Sequence, residues 1–154
     1  SGSNTDTANS ASGRLNLGVD LGTGVGTPMR TKRTGRTPAQ AVAWLNKHLG
    51  MGGVFNQCLR LADDAYNPTG GRLPRAIDQW NRAKKAGYAH PGDRNPPPGA
   101  QVFWWSSNPA RHIATAVGGG YIIGNVGDTV QKKKFSFYNG YGPYLGWAEP
   151  YYGG

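Results

Sequence analysis

The sequence predicts one α+β domain in which N-terminal helices pack on a C-terminal antiparallel β-sheet. Two observations lead to this prediction. Between residues 37 and 86, apolar side chains recur at the three- and four-residue spacing of amphipathic helices. From Ala100 onward they alternate at the two-residue spacing of strands. Helices and strands that occupy separate halves of a chain are typical of α+β architecture.

The chain has 154 residues, enough for one domain with a core but too few for two. Residues 1–36 are rich in Ser, Thr, Gly and Asn, so we expect a flexible basic tail there and the domain over residues 37–154. Ser1-Gly2-Ser3 resembles a cloning remnant, and the start lacks the pattern of a signal peptide. One edge strand is predicted within the tail from the alternating residues Leu15, Leu17, Val19 and Leu21.

Three helices are predicted in the first half of the domain. Thr37 and Pro38 form a cap and first-turn pair that begins the first helix, which Gly50 ends. Glycines break the chain again before Cys58, and the apolar stripe from there to Tyr66 predicts the second helix. The third helix is predicted over residues 74–86.

The second half is predicted to form strands. Residues 87–99, which include three consecutive prolines, are predicted to form a loop. Strands are predicted over residues 101–105, 112–117, 121–126 and 132–138, and residues 144–152 close the chain. Gly118-Gly119-Gly120 predicts the hairpin turn between the second and third strands.

Cys58 is the only cysteine, and it falls in the first turn of the second helix. Unsatisfied backbone N–H groups and the positive end of the helix dipole lower a thiol pKa at such a place, so we expect a catalytic nucleophile. The alternative is a small core side chain. A single Cys and three scattered His residues form no disulfide framework or metal-ligand pattern, so we expect no metal and no cofactor.

His112 begins an otherwise small and apolar strand, where an imidazole has no obvious packing role. A Cys and a His together suit acyl transfer, because the imidazole takes the thiol proton and later protonates the leaving amine. His90 is the competing partner, but its predicted loop position makes it the weaker candidate.

Four segments together resemble a known family: Gln57-Cys58 at a helix start and residues 98–104, 112–120 and 144–148. This set resembles the CHAP and NlpC-type cell-wall cysteine peptidases of the papain-like group over residues 37–152. The resemblance implies a papain-like fold and hydrolysis of amide bonds in peptidoglycan, either between stem-peptide residues or at the muramoyl-alanine link. It also implies a secreted or cell-wall-associated protein, or an endolysin released from phage-infected bacteria. Arg111 stands directly before His112, at a position where the family often has Gly.

The third catalytic residue depends on the turn before the third strand. A two-residue glycine turn would place Asn125 on the face of His112, whereas a three-residue turn would favour Asp128. Two-residue turns are commoner, so we predict Asn125. The backbone N–H of Cys58 and the Gln57 side chain are predicted oxyanion donors. Aromatic residues predicted near the cleft are Trp104, Trp105, Tyr121 and Trp147, with core packing as the alternative for at least two of them.

The formal charge of +9 predicts a polyanionic partner. Given the resemblance, we expect peptidoglycan and anionic cell-wall polymers as partners rather than nucleic acid. No apolar run in the sequence is long enough to span a membrane. Residues expected to contact the wall are Arg30, Lys32, Arg33, Lys132, Lys133 and Lys134. The alternative function is a non-catalytic basic module that binds peptidoglycan or single-stranded nucleic acid.

Overall fold

The computed structural model describes residues 29–154, so the strand predicted near residues 15–21 lies outside the described residues. The helices are α1 (Pro38–Lys47), α2 (Cys58–Tyr66), α3 (Ala76–Lys85) and a 3-10 helix (Phe135–Tyr141). The strands are β1 (Ala89–Pro91), β2 (Gln101–Trp104), β3 (His112–Gly118), β4 (Tyr121–Val126), β5 (Thr129–Lys134) and β6 (Tyr144–Ala148). They form one antiparallel sheet in the order β1-β6-β2-β3-β4-β5, which confirms the predicted α+β class.

The helix boundaries follow local chemistry. Thr37 and Gln40 cap α1 reciprocally, each side chain bonding the other's backbone N–H. α2 begins at Cys58 without a side-chain cap, so the first backbone N–H groups of this helix have no partner from Gln57. It ends at Tyr66, and the following Asn67 adopts a left-handed conformation with φ of 44°.

Two elements differ from the sequence prediction. β1 lies inside the predicted loop, because three residues there pair with β6. The strand predicted to reach residue 138 ends instead at Lys134, and the chain continues as the 3-10 helix. The alternating aromatic residues of this segment suggested a strand, but the 3-10 helix places Tyr138 and Tyr141 beside His112 and Tyr138 against Trp104.

The sheet has two different faces. On the helix face, Phe103, Ile113 and Ile123 pack against α1, α2 and α3. On the opposite face, which we call the aromatic face, Trp104 and Ala114 pack against Tyr138 of the 3-10 helix. Because successive strand residues point to opposite faces, neighbouring residues of β2 belong to different clusters.

Part of the predicted tail packs on the domain. Arg30 forms a 2.7 Å ion pair with the buried Glu149, and Lys32 forms a parallel bridge with Tyr151. The backbone N–H of Gly35 donates to the carbonyl oxygen of Tyr66. The packed part of the chain therefore begins before residue 37. Within residues 29–154, no helix is both long and apolar enough to cross a bilayer.

Candidate active site

A cavity of about 410 Å³ opens at the end of the sheet where α2 and β3 both begin. Cys58, His112, Asn125 and Tyr141 all line it. Residues far apart in sequence meet here because α2 packs along β3, which brings the starts of the two elements together. The three residues predicted to be catalytic thus surround one cavity.

Cys58 is the first residue of α2 and is partly buried. Its Sγ lies 3.9 Å from the carbonyl oxygen of Arg111, the residue before His112. Burial raises the pKa of the thiol, although backbone N–H groups, including that of Ile113, act in the opposite direction. The lowered pKa expected from the helix start is therefore not the net result, and the thiol is protonated until a base takes its proton.

His112 lies opposite Trp104 in the sheet register and is 7% exposed. Burial lowers the pKa of its imidazole to about 4, so the ring is neutral at physiological pH. Among the described residues, its buried Nε2 has no hydrogen-bond partner. Cys58 and His112 line the same cavity without a hydrogen bond between them, and a neutral imidazole with a protonated thiol is the resting state from which proton transfer can begin.

The predicted register between β3 and β4 is wrong. Gly118 pairs with Tyr121 across a two-residue turn, as assumed, but the register then shifts so that Thr115 pairs with Ile123. This irregularity reverses the faces, as a bulge does in an antiparallel pair. Asn125 therefore shares the helix face with Ile123 and Thr115, whereas His112 points to the aromatic face.

Asn125 and Asp128 both hold the loop that leads into Cys58. The Asn125 Nδ2 donates to the carbonyl oxygen of Val54 at 3.0 Å. The Oδ1 of Asp128 accepts from the backbone N–H of Phe55 at 3.1 Å. The structure gives neither side chain a hydrogen bond to the imidazole, and both instead hold the loop before the nucleophile.

The other predicted cleft residues are dispersed. Tyr121 lies beside the glycine hairpin and lines a different cavity. This is because β4 begins at the end of the sheet opposite to the start of β3. The predicted position of Tyr121 in the cleft is therefore wrong. Trp104 is buried beneath His112, and Trp147 is buried and stacks on His90. Trp105 is 44% exposed and carries the Arg111 guanidinium over its ring at 3.6 Å.

Gln57 lies on the other side of the nucleophile. Its side chain makes no capping bond, and the residue lines a second cavity of about 200 Å³ that also contacts Cys58. The competing histidine, His90, lies 3.1 Å from the carboxylate of Glu149 and does not line either cavity. Glu149 also holds Arg30, one of the basic residues expected to contact the wall.

Sequence reasoning missed Tyr138 and Tyr141. Their rings lie 5.7 Å and 4.6 Å from the His112 ring, and Tyr141 lines the cavity. The aromatic run that begins at Phe135 is the signal in the sequence, but its composition also favours the end of a strand. Among residues 29–154, no group of three or more His, Cys, Asp or Glu side chains is arranged to hold a metal ion.

Comparison with known proteins gives one informative likeness. No protein-family profile matches the sequence, and no curated protein matches it. The fold is similar to the structure of NlpC1 from Trichomonas vaginalis, with a TM-score of 0.53 and 19% sequence identity. The likeness covers 76% of this chain but 45% of that one, so this chain spans less than half of its length. The fold is therefore NlpC-like, in agreement with the predicted papain-like architecture.

Proposed function

We propose that this protein is a cysteine hydrolase that cleaves amide bonds of peptidoglycan stem peptides, with Cys58 as nucleophile and His112 as base. The observation that carries the proposal is the shared cavity, which is lined by a thiol at a helix start and an imidazole at a strand start. The NlpC-like fold supports it, since the named neighbour has the same architecture.

The chemistry follows from these two groups. His112 takes the thiol proton, and the Cys58 sulfur bonds to the scissile carbonyl carbon to give a tetrahedral oxyanion. The backbone N–H groups at the start of α2 are the donors available to that oxyanion. The imidazolium then gives its proton to the leaving nitrogen as the C–N bond breaks. Water, activated by the neutral imidazole, hydrolyses the thioester and restores the thiol.

In the free protein, burial favours the neutral form of both Cys58 and His112. Charge separation within the pair must therefore be stabilised by the site itself when substrate excludes water from the cavity. A neutral resting thiol also reacts more slowly with adventitious oxidants, because the thiolate is the reactive form.

The proposed partners are the peptidoglycan substrate and anionic polymers of the wall, with the protein secreted or wall-associated. Lys132 and Lys134 are exposed on β5, the edge strand of the sheet. Lys132 also lies 5.5 Å from the ring of Tyr121, which is itself 38% exposed. A basic edge with an exposed aromatic ring suits a long anionic polymer that also occupies the cavity.

The decisive experiment is digestion of purified cell walls by the wild type and by Cys58→Ala, with muropeptides identified by mass spectrometry. We expect Cys58→Ala to abolish digestion while the circular dichroism spectrum stays native, because no other group in the chain replaces the thiolate. The masses of the products distinguish an endopeptidase from a muramoyl-alanine amidase. Substantial turnover by Cys58→Ala with a native spectrum would eliminate the proposal.

A non-catalytic wall-binding module is the competing function. It predicts wall binding without digestion and full binding by Cys58→Ala. Complete alkylation of Cys58 by iodoacetamide separates the two functions, because it should abolish digestion by the enzyme, whereas the binding module shows no digestion before or after the treatment.

A further inference from the structure

No side chain among the described residues forms a hydrogen bond with His112, the proposed catalytic base. In papain-like arrangements, a third residue accepts a hydrogen bond from the second ring nitrogen. Here Nε2 is buried without a partner among the described residues. Asp128 accepts from the Phe55 N–H, and Asn125 donates to Val54 through Nδ2, while its Oδ1 has no partner and lies on the helix face, away from the imidazole. Some other feature of the site must therefore fix the ring.

Three aromatic side chains surround the imidazole, and we call them the aromatic box: Trp104, Tyr138 and Tyr141. Their ring centroids lie 5.9, 5.7 and 4.6 Å from that of His112. The planes of Tyr138 and Tyr141 are inclined to the imidazole plane by 26° and 38°, which is closer to a stacked than to an edge-on arrangement. Tyr141 also lines the cavity that contains Cys58, whereas the other two rings are fully buried.

The box is held firmly in place. Trp104 and Tyr138 stack at 4.5 Å with an interplanar angle of 19°, and Tyr138 contacts Tyr141 at 4.9 Å. Gly142, directly after Tyr141, has φ of 134°, and a Cβ there would collide with the backbone of Trp105. The end of the 3-10 helix is thus fixed against β2, and the phenol ring is fixed with it.

We infer that the aromatic box replaces the hydrogen-bonding third residue, and that Tyr141 is its positioning residue on the cavity side. The inference rests on the proposed function. The box fixes the plane of the imidazole, and its ring faces stabilise the imidazolium that forms when His112 takes the Cys58 proton. Aromatic faces attract cations at such distances, and the attraction strengthens where water is excluded.

The neighbouring titratable groups are consistent with a role for the ring rather than its hydroxyl. They are Cys58, Tyr138, Tyr141 and Arg111. Burial, and then the charge of Cys58, raise the pKa of the Tyr141 phenol, so it stays neutral throughout the working range. The Arg111 guanidinium is directed to the carbonyl oxygen of Ser106 and the Trp105 ring. Among the described side chains that contact the imidazole, the box rings are then the groups that can balance the positive charge of His112, apart from the thiolate itself.

The test measures the His112 imidazole pKa by NMR in the Cys58→Ala background, where no thiolate contributes. Tyr141→Leu keeps an apolar side chain over the ring but removes the aromatic face, so we expect the pKa to fall by about half a unit to one unit. Tyr141→Phe keeps the face and should leave the pKa unchanged. Phe137→Leu is the matched control, because Phe137 lies on the same 3-10 helix near both Tyr138 and Tyr141 but does not line the cavity.

With Cys58 present, Tyr141→Leu should lower kcat/KM about three- to tenfold, mainly through kcat, and Tyr141→Phe should stay near the wild type. A rise or no change in the imidazole pKa of Tyr141→Leu overturns the inference. So does an equal loss in Tyr141→Phe, which would assign the role to the hydroxyl. These outcomes are separate from the proposed function, which fails only if the wild type does not digest walls or Cys58→Ala still does.

Discussion

The two faces of the sheet are stabilised by different chemistry. The helix face combines aliphatic packing with a buried series of hydrogen bonds. In it, the Tyr152 hydroxyl donates to the Asp63 carboxylate at 2.7 Å and accepts from the Gln101 side-chain amide at 2.8 Å. The aromatic face is built on stacked rings, with Trp104 and Tyr138 at its centre. Cys58 belongs to a helix that packs on the helix face, whereas His112 points to the aromatic face. The proposed site therefore lies at the end of the sheet, where side chains from both faces can meet.

This difference separates two requirements of a nucleophile and its base. Cys58 depends on backbone geometry, since α2 and the loop before it determine where the sulfur lies. His112 depends on its surroundings, since a buried ring without a polar partner is positioned by the rings beside it. Substitutions on the two faces should therefore affect different properties of the pair even when they destabilise the fold equally.

The largest expected effect compares adjacent residues of β2 on opposite faces. Trp104→Ala and Phe103→Ala should each lower the free energy of unfolding by about 3–5 kcal/mol, since both side chains are fully buried. Only Trp104→Ala should change the imidazole pKa of His112. Urea unfolding gives the stabilities, and NMR titration gives the pKa. An equal pKa change in Phe103→Ala would show that the two faces are not independent.

The buried carboxyl group of the helix face gives a pH-dependent prediction. Burial raises the pKa of Asp63 to about 6, so between pH about 4 and about 6 the folded protein holds a proton that the unfolded chain has released. Stability should therefore fall as pH rises through this window. Asp63→Asn keeps an acceptor for Tyr152 but cannot ionise, so its stability relative to the wild type should increase by about 2–3 kcal/mol across the window.

Urea unfolding of the wild type and Asp63→Asn at several pH values checks this prediction. The comparison uses the difference between the two proteins because His112 also titrates, with a lowered pKa of about 4. A difference that is constant with pH would show that folding does not shift the pKa of Asp63.

A smaller effect is expected from the loop before Cys58. Asn125→Ala leaves the Val54 carbonyl without its side-chain donor, which should cost about 1–2 kcal/mol of stability and reduce kcat/KM about tenfold by displacing the nucleophile. The imidazole pKa should not change, because Asn125 lies on the helix face. A shift of that pKa in Asn125→Ala would restore Asn125 as the residue that orients His112.

The smallest effect concerns the surface. With a formal charge of +9, the protein should digest intact walls a few-fold more slowly as salt shortens the Debye length from about 10 Å at 0.1 M to about 3 Å at 1 M. Cleavage of a small neutral peptide by the same protein should be nearly unaffected, which makes it the matched control. Chelator should leave both activities intact, and loss of activity in EDTA with recovery in zinc would reveal a metal requirement.

Local signals in the sequence predicted most of the fold. The Thr37 cap, the start of α2 at Cys58 and the bounds of β4 agree with the structure, because each depends on residues close in sequence. The register between β3 and β4 was not predictable in this way. Gly118, Gly119 and Gly120 all have positive φ, so the hairpin accepts both a tight turn and an adjacent bulge at no steric cost.

The side chains around His112 could not be predicted from the sequence for a different reason. The residues that surround it come from β2 and from the 3-10 helix. Tyr138 in that helix is more than 20 residues after His112 in the sequence. Aromatic residues in a short run satisfy both a strand and a 3-10 helix, and only the packing on Trp104 selects the second. The polar residues of the site were visible in the sequence, but the apolar surface that positions one of them was not.

The pairing of Lys32 with Tyr151 joins the first described segment to the last one in parallel orientation. Lys32 donates its backbone N–H to the carbonyl oxygen of Pro150 and accepts from the backbone N–H of Tyr152, as a neighbouring strand would. A shortened protein that begins at residue 37 would lose both hydrogen bonds and the ion pair between Arg30 and Glu149. Trimming the chain at the boundary expected from its sequence should therefore lower the stability of the fold.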